Sequence, residues 1–202
     1  MAKTELLAKV MGHVAEHGVG DLSLRRLAAG IGTSHRMLIY HFGSKEQLLV
    51  EIVQSMEDQQ RADFEELVEE YHDRPIELMR AFWRRLTDRA LGPYERLFFE
   101  VYGQALQGRP GSTALLDGIV DAWVVPMTAL GIRYGQEPQA AAAQARLGLA
   151  VSRGLLLDLL ATGDRAAVDA AAELFFADCA RRLADHQGTA PSSSKKPPLG
   201  QP

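Results

Sequence analysis

The stretch from residue 22 to residue 49 constrains this chain most, because it combines two short helical patterns, a glycine between them and a capped third helix. Ser23 is a good N-cap, and the apolar positions after it recur at helical spacing. Gly32 supplies a tight turn, and Ser34 then caps a second helix that runs to about His41. The stretch therefore predicts a helix-turn-helix. Its sequence is LSLRRLAAGIGTSHRMLIYHFGSKEQLL.

The second of these helices has two different faces. Leu38 and Phe42 fall on one side together with Ser34 and His41. The opposite side carries hydrogen-bond donors and apolar surface instead of carboxylates, and it is narrow enough for a DNA major groove, which is about 12 Å wide. We therefore expect this side to contact base edges and phosphates. Its residues are His35, Arg36, Ile39 and Tyr40.

A second signal follows the helix at once. Phe42 and Gly43 precede Ser44, which forms a predicted capping box with Gln47 at the start of a long helix. Lys45 thereby lies at a helix N-terminus, where backbone amides also favour an anion. We expect a DNA phosphate to bind there.

These motifs resemble the N-terminal domain of the TetR (tetracycline repressor) family of transcriptional regulators. The resemblance covers residues 6–49, from an amphipathic first helix ending at His17 and Gly18, through LSLRRLAAGIGTS, to the ending YHFGSKEQLL. It implies an all-α fold, with a three-helix DNA-binding domain followed by a larger helical domain for ligand binding and dimerisation. The implied partners are double-stranded DNA with a palindromic operator, a second copy of the chain and a small-molecule effector.

The resemblance also assigns roles to residues. Ser23 and Lys45 match phosphate-contacting positions, and Tyr40 with His41 matches an aromatic pair. Ile39 departs from the family pattern, which has a tyrosine there, and isoleucine cannot donate a hydrogen bond. Either the Tyr40 hydroxyl replaces that contact or Ile39 meets a thymine methyl group. The whole predicted DNA-binding set is Ser23, Arg25, Thr33, Ser34, His35, Arg36, Met37, Ile39, Tyr40, His41 and Lys45.

The distribution of charge agrees with a DNA-binding front end. Residues 1–50 hold six lysines or arginines against four acids, whereas the whole chain has a net charge of −4. The first 50 residues thus carry +2 and the remainder −6. Because this excess is modest, we expect affinity to depend on geometry and on two copies binding together.

Length and composition predict one small and one larger domain. With 202 residues and 47% hydrophobic content the chain can bury a sizeable core. We predict a DNA-binding domain at 1–46, an effector and dimerisation domain at 47–187 and a disordered tail at 188–202. Residues 147–161 form the most apolar helical pattern, but they are interrupted by polar residues and fall short of a membrane span. No signal segment is visible, which predicts a cytoplasmic protein without a membrane partner.

The remainder of the chain reads as a series of helices. The predicted ranges are 44–71, 75–91, 93–108, 113–134 with a kink at Pro126, 139–161 and 164–186. Cys179 is the only cysteine, so we expect a small buried hydrophobic residue and no intrachain disulfide.

The helices between residues 75 and 134 are rich in aromatic side chains. Such residues are ordinary core packing or the lining of a small-molecule cavity, and composition does not separate the two. Glu100, Tyr102, Gln104 and Arg84 are polar candidates to orient a ligand. The predicted ligand-binding residues are Phe82, Trp83, Phe98, Phe99, Tyr102, Trp123 and Met127.

The last two predicted helices combine small residues with a leucine-rich face, which permits close approach of another helix. They resemble the helical hairpin that forms a four-helix dimer interface in the family; alternatively, they only close the core of the monomer. A twofold dimer would present two recognition helices to a palindromic site. The predicted interface residues are Leu147, Val151, Leu155, Asp158, Ala167, Ala171, Leu174 and Phe175.

Together these features predict a dimeric transcriptional repressor that an apolar small molecule releases from its operator. The alternative is a ligand-independent or activating regulator whose second domain only dimerises. An enzyme is disfavoured, because the sequence has no phosphate loop, nucleophile elbow, HExxH motif or cysteine cluster. We therefore predict no catalytic residue, no cofactor and no metal site.

Overall fold

The structure is a computed structural model that describes residues 2–18 and 23–188, with side chains up to residue 184. All regular structure in these ranges is helical. The predicted tail at 188–202 lies outside the described residues, apart from Gly188 at the end of the last helix. The helices are α1 (Lys3–His17), α2 (Leu24–Gly30), α3 (His35–Phe42), α4 (Lys45–Glu70), α5 (Pro75–Leu86), α6 (Gly92–Leu106), α7 (Asp121–Arg133), α8 (Pro138–Thr162) and α9 (Arg165–Gly188).

The helix predicted for residues 75–91 is too long. α5 ends at Leu86, and a separate 3₁₀ turn covers Arg89–Leu91. The Thr87 hydroxyl donates to the carbonyl oxygen of Trp83 at 2.7 Å, and the Asp88 carboxylate accepts from the backbone amide of Ala90 at 2.9 Å. These side-chain bonds compete with continued helix, so the chain turns before α6.

The single helix predicted for residues 113–134 is also wrong. A 3₁₀ turn at Thr113–Leu116 is followed by a break, and α7 starts only at Asp121. Gly118 lies in the break with φ +73°, a conformation that favours glycine. Residues 113–133 have the length and mean hydropathy, 1.5, of a membrane-span candidate. The break, however, leaves α7 with 13 residues, fewer than the roughly 20 that span a bilayer.

One apolar core joins the N-terminal helices to the middle of the chain. Leu6, Leu27 and Leu38 from α1 to α3 are fully buried, and so is Val101 of α6. The Tyr94 hydroxyl, near the start of α6, donates to the carbonyl oxygen of Met11 in α1 at 2.7 Å. The predicted boundary after residue 46 thus falls within the first turn of α4, and the core continues across it.

The second half of the molecule is built on α4, α5, α7, α8 and α9. Trp83 packs with Leu156, Val168 and Phe176, and its indole N–H donates to the Asp169 carboxylate at 2.8 Å. α8 and α9 form a hairpin around Gly163, whose φ of +69° closes the tight turn. A second apolar cluster, described below, links α4, α5 and α7. Between the two clusters the packing leaves an internal cavity.

Candidate functional site

Two serine caps fix the helix-turn-helix. The Ser23 hydroxyl oxygen accepts from the amide of Arg26, and the Ser34 hydroxyl oxygen accepts from the amide of Met37, both at 3.2 Å. Gly32 turns the chain between the two helices with φ +68°. Since each hydroxyl is used only as an acceptor in its cap, its own hydrogen is left to donate to a phosphate.

The recognition helix α3 buries one side and exposes the other, as the sequence indicates. Leu38 and Phe42 are 0% and 4% exposed, and they anchor the helix in the core. On the opposite side His35 and Arg36 are exposed. Tyr40 is exposed to 78%, which leaves its hydroxyl open to a partner outside the chain.

The other predicted DNA-binding residues lie around this exposed side. Arg25 is exposed on α2, and Ile39 is 39% exposed. Thr33 and Met37 are half-buried at the start of the recognition helix. His41 is half-buried, and its Nε2 atom is enclosed.

The start of α4 completes the surface. The Ser44 hydroxyl oxygen accepts from the amide of Gln47 at 3.1 Å, while the Ser44 amide donates to the carbonyl oxygen of Phe42 at 3.0 Å. The Ser44 half of the predicted capping box is therefore formed, and the half in which Gln47 would bond to the Ser44 amide is replaced by a backbone bond. Lys45 is half-buried in the first turn, beside the open end of the helix.

Gly30 at the end of α2 leaves room for a side chain of α1. A Cβ atom there would lie 2.5 Å from Cε1 of His13. The His13 ring stacks on His17 with 4.3 Å between ring centroids, and it occupies the space that a larger residue 30 would need. The glycine thus allows α1 and α2 to approach closely, which positions the helix before the turn.

The cavity lies between the two apolar clusters of the second half. The space open to the centre of a water molecule is about 180 Å³. Most of the lining is apolar, and it comes from α4 to α9. Six of the seven predicted ligand-binding residues border it: Phe82, Trp83, Phe98, Phe99, Trp123 and Met127.

The predicted polar candidates do not border this cavity. Glu100 and Arg84 are exposed, and Gln104 is half-buried outside the lining. Tyr102, predicted both as an aromatic and as a polar contact, stacks on Phe98 with 5.5 Å between centroids and also lies outside the lining. Helical periodicity placed Glu100, Tyr102 and Gln104 on one helix and Arg84 on the helix before it, but it did not show which side of each helix faces the cavity.

A buried polar group lines the cavity instead. The Trp123 indole N–H donates to Glu57 Oε2 at 2.6 Å, and the Gln60 amide donates to Glu95 Oε1 at 2.7 Å. All four of these side chains are at most 7% exposed. Arg153 also borders the cavity, with its guanidinium 5.2 Å from the centroid of Phe98.

The two carboxyl groups titrate abnormally because they are buried. Desolvation raises the pKa of Glu95 to about 7, although the bond from Gln60 opposes the shift. Desolvation likewise raises the pKa of Glu57, against the bond from Trp123 and the charge of Arg153. A cleft with perturbed carboxyl groups is typical of a functional site.

The sequence contained a signal for this group, and reasoning from apolar residues alone missed it. The apolar stripe of α4 is interrupted between Met56 and Phe64, and Glu57 and Gln60 occupy buried positions in that gap. Glu95 precedes Phe98 by three residues and shares its buried face of α6. A polar residue at a stripe position indicates a buried polar site.

The outer face of the α8 and α9 hairpin is apolar and open. Of the predicted interface residues, Leu147 is 45% exposed and Leu174 is 74% exposed, and Asp158 and Ala167 are exposed beside them. Val151 and Ala171 are half-buried. Leu155 and Phe175 pack against the core cluster around Trp83, and Phe175 also borders the cavity, so these two contribute to the monomer interior. Leu157, 51% exposed, adds to the open face without having been predicted.

The capped turn, the anchored recognition helix and the charged surface around it define a helix-turn-helix DNA-binding protein. No group of three or more histidine, cysteine, aspartate or glutamate residues within the described ranges could hold a metal ion.

Comparison with known proteins agrees with this class. Residues 12–52 match the family described as bacterial regulatory proteins, tetR family. No curated protein matches the chain at a significant level. The N-terminal segment of the chain is therefore similar to the TetR family of transcriptional regulators, whose members are DNA-binding transcription factors and not enzymes.

Solved structures share the fold over most of their length. A transcriptional regulator from Rhodococcus sp. Rha1 has a TM-score of 0.71 at 20% identity, covering 88% of this chain and 95% of the other. A TetR-family regulator from Pectobacterium atrosepticum has a TM-score of 0.66 at 20% identity, covering 90% and 91%. NalD of Pseudomonas aeruginosa, the secondary repressor of the MexAB-OprM multidrug efflux pump, has a TM-score of 0.56 at 18% identity, covering 89% and 94%.

Proposed function

We propose that this regulator is a homodimeric repressor that leaves a palindromic operator when a small molecule enters the cavity. The observation that carries the proposal is that one helix serves both sites. α4 begins at Lys45 beside the recognition helix and borders the cavity with Glu57, Gln60 and Phe64. A ligand that moves the middle of α4 therefore acts on the element that positions the DNA-binding surface.

The proposed DNA contacts divide into two kinds. Phosphate contacts come from Ser23, Lys45 and the Tyr40 hydroxyl, which fix the recognition helix on the duplex. Base contacts come from the exposed side of α3, where a bidentate arginine is the commonest way to read guanine. The residues proposed to enter the groove are Arg25, Thr33, His35, Arg36, Met37 and Ile39, and the Ser34 hydroxyl is proposed to donate to a phosphate.

A second route joins the cavity to the DNA-binding helices. α6 borders the cavity with Glu95 and Phe98, and one turn away Tyr94 bonds to the backbone of α1. Beyond the end of α6, a Cβ atom at Gly111 would lie 3.0 Å from Cβ of Glu46 in the first turn of α4. A shift of α6 thus changes the support of both α1 and α4. Coupling between two such sites is typically about 1 to 3 kcal/mol.

Dimerisation is supported by the outer face of the α8 and α9 hairpin, where exposed leucines alternate with small residues. A large apolar face of this kind is an association surface in a protein that acts in aqueous solution. A twofold dimer would space its recognition helices for half-sites about 34 to 36 Å apart, one turn of DNA. We place the protein in the cytoplasm, where its DNA partner lies.

The experiment is a gel-shift titration of the full-length protein on DNA from upstream of its own coding sequence. We expect a sequence-dependent shift at low salt that competitor DNA of scrambled sequence does not abolish. Addition of a cavity ligand should release the DNA. Absence of any sequence-dependent shift would disprove operator binding, whereas a shift that cavity ligands do not change would favour a ligand-independent regulator.

A further inference from the structure

The cavity contains negative charge that the protein leaves partly uncompensated. Glu57 and Glu95 come from α4 and α6, and each uses one carboxylate oxygen on a neighbouring donor. The second oxygen of each carboxylate is left for the cavity that both residues border. A cation beside two carboxyl groups in an apolar interior stabilises their ionised form, which burial otherwise disfavours.

The nearby arginines supply only part of that compensation. Arg153 donates to the carbonyl oxygen of Ile119 at 3.3 Å, and its guanidinium lies over Phe98 and Tyr102. Arg61 lies 3.8 Å from Glu57 Oε2, but it also pairs with Asp58 at the protein surface. Two arginines border the cavity, Arg153 and Arg182, and Arg182 forms an ion pair with Asp178 at 2.8 Å. Arg153 is the cavity arginine whose charge acts on both Glu57 and Glu95, and these three groups carry a net charge of −1 when both acids are ionised.

Three aromatic rings border the cavity near the Glu57 carboxylate. Phe64 and Phe82 lie 4.9 Å apart between centroids, and Trp123 lies 5.6 Å from Phe82 and 6.1 Å from Phe64. All three border the cavity, and Trp123 holds the Glu57 carboxylate directly. An aromatic cluster combined with a carboxylate is the usual chemistry for recognition of an ammonium group, because ring faces attract cations without hydrogen bonds.

The far end of the cavity suits an apolar chain. Leu78, Met79 and Leu86 from α5 and Leu156 from α8 border it, and methionine adapts easily to irregular ligands. The site therefore has an anionic, aromatic end and an aliphatic end.

From this geometry we infer that the cavity binds a monovalent organic cation with an apolar tail, its charged head beside Glu57 and the ring cluster. This inference rests on the proposed function in taking the cavity as the effector site, and it names the chemical class of the effector. A bound cation would bring the charge of the two carboxylates and Arg153 to zero. Burial raises the pKa of both carboxyl groups against the charge of Arg153, so a second cation beside them would favour their ionised form.

The test compares three ligands that share a ten-carbon chain but differ in charge: decyltrimethylammonium, 1-decanol and decanoate. Binding to the full-length protein is followed by tryptophan fluorescence, because both tryptophans of the chain border the cavity. We expect decyltrimethylammonium to bind about tenfold more tightly than decanol, as one desolvated cation–π and carboxylate contact allows. Decanoate should bind most weakly.

Two variants separate the charge of the cavity from general effects. Glu57→Gln keeps an acceptor for the Trp123 indole and removes the charge, so it should abolish the preference for the cation and leave decanol binding unchanged. Glu66→Gln makes the same change at an exposed position of α4 and should alter neither the preference for the cation nor the binding of decanol. Equal binding of decanol and the cation, or a preference that survives in Glu57→Gln, would overturn the inference.

The outcomes also distinguish this inference from the proposed function. If decanol or decanoate binds best, the effector site stands and its proposed chemistry is wrong. If the cation binds selectively but DNA is not released, the chemistry stands and the proposed release mechanism is wrong. If none of the three ligands binds, the inference is overturned, and the gel-shift titration still decides the proposed function separately.

Discussion

The DNA-binding surface and the cavity place polar groups in opposite ways. Around α3 the interior is apolar, and Arg36 and Tyr40 stand in solvent on a scaffold whose anchor residues are fully buried. Around the cavity the polar groups are buried instead, because Glu57 and Glu95 lie in the interior. The first arrangement suits a large polyanion that approaches from outside. The second suits a small ligand that must leave water before it is recognised.

This contrast has an energetic consequence. Exposed polar groups cost the fold little, so substitutions on the DNA-binding surface should change affinity and leave stability unchanged. Buried carboxyl groups cost desolvation energy, so substitutions in the cavity should change stability as well as ligand binding. The predictions below test that division, beginning with the largest expected effect.

Leu174→Glu should convert the protein to a monomer and lower its operator affinity about a hundredfold or more, because two linked recognition helices bind far more tightly than one. Light scattering after size exclusion and a gel shift measure the two effects. Leu106→Glu is the matched control, since Leu106 is 65% exposed on α6, away from the hairpin. Equal behaviour of the two variants would place the interface elsewhere.

Arg36→Ala should weaken operator binding about ten- to a hundredfold per recognition helix, which corresponds to the loss of one base contact. Its melting temperature should stay that of the parent, because the side chain is exposed. Fluorescence anisotropy with labelled operator DNA gives the affinity. A large fall in melting temperature would show that the DNA-binding surface is not energetically separate from its scaffold.

Glu95→Gln should change stability in a pH-dependent way. Because burial raises the pKa of Glu95 to about 7, the folded state keeps a proton that the unfolded state releases near pH 4.5. The stability of the parent therefore falls as pH rises from about 4.5 to 7 and stays reduced above that range. The variant lacks this loss, so its advantage in urea unfolding should grow by about 1 to 3 kcal/mol between pH 5 and pH 8. An advantage that is the same at both pH values would contradict the buried, protonated carboxyl group.

Tyr94→Phe removes the hydrogen bond that joins α6 to α1. We expect a loss of about 1 kcal/mol in urea unfolding, the usual net contribution of one such bond. Ligand release of DNA should also become less complete, because one of the two routes between the sites is weakened. If release is unaffected, α4 alone transmits the change.

Tyr40→Phe tests whether Tyr40 compensates for Ile39. Loss of one hydroxyl contact to phosphate should lower operator affinity a few-fold, with no change in the melting temperature. If operator affinity and its salt dependence do not change, Tyr40 does not replace the missing tyrosine contact. Ile39 then either contacts a base in the groove or is tolerated without a contact. Ile39→Ala is measured in the same assay. A loss of affinity that is confined to operators with thymine at the contacted position would identify the groove contact.

The local signals in the sequence were sufficient to predict the helix boundaries and turns of the DNA-binding part. Caps and glycine turns act over three or four residues, so Ser23, Gly32, Ser34 and Ser44 could be interpreted without knowing the rest of the fold. The same locality explains why α4, α8 and α9 were predicted within one or two residues of their ends. Local rules failed at 86–92 and 117–120, where side-chain bonds and a left-handed glycine interrupt an apolar helical pattern.

The cavity depended on information that no single segment carries. Six of the aromatic or methionine residues predicted to bind a ligand border the cavity, because residue type restricts them to interior positions. Tyr102, Glu100 and Gln104 lie outside its lining, because the side of α6 that meets the cavity is set by packing against α4 and α8. Likewise Phe175 and Leu155 were assigned to the dimer surface, although packing directs both inward.

The sequence by itself determined the helices of the DNA-binding part, their caps and the division between an exposed recognition surface and its buried anchors, because these follow from short-range hydrogen bonds and from periodicity. Only the tertiary structure decided that Glu57, Gln60 and Glu95 meet in one apolar space with Trp123. Their separation of up to 66 residues along the chain hides the contact. Their energetic cost exists only when the helices pack and water is excluded.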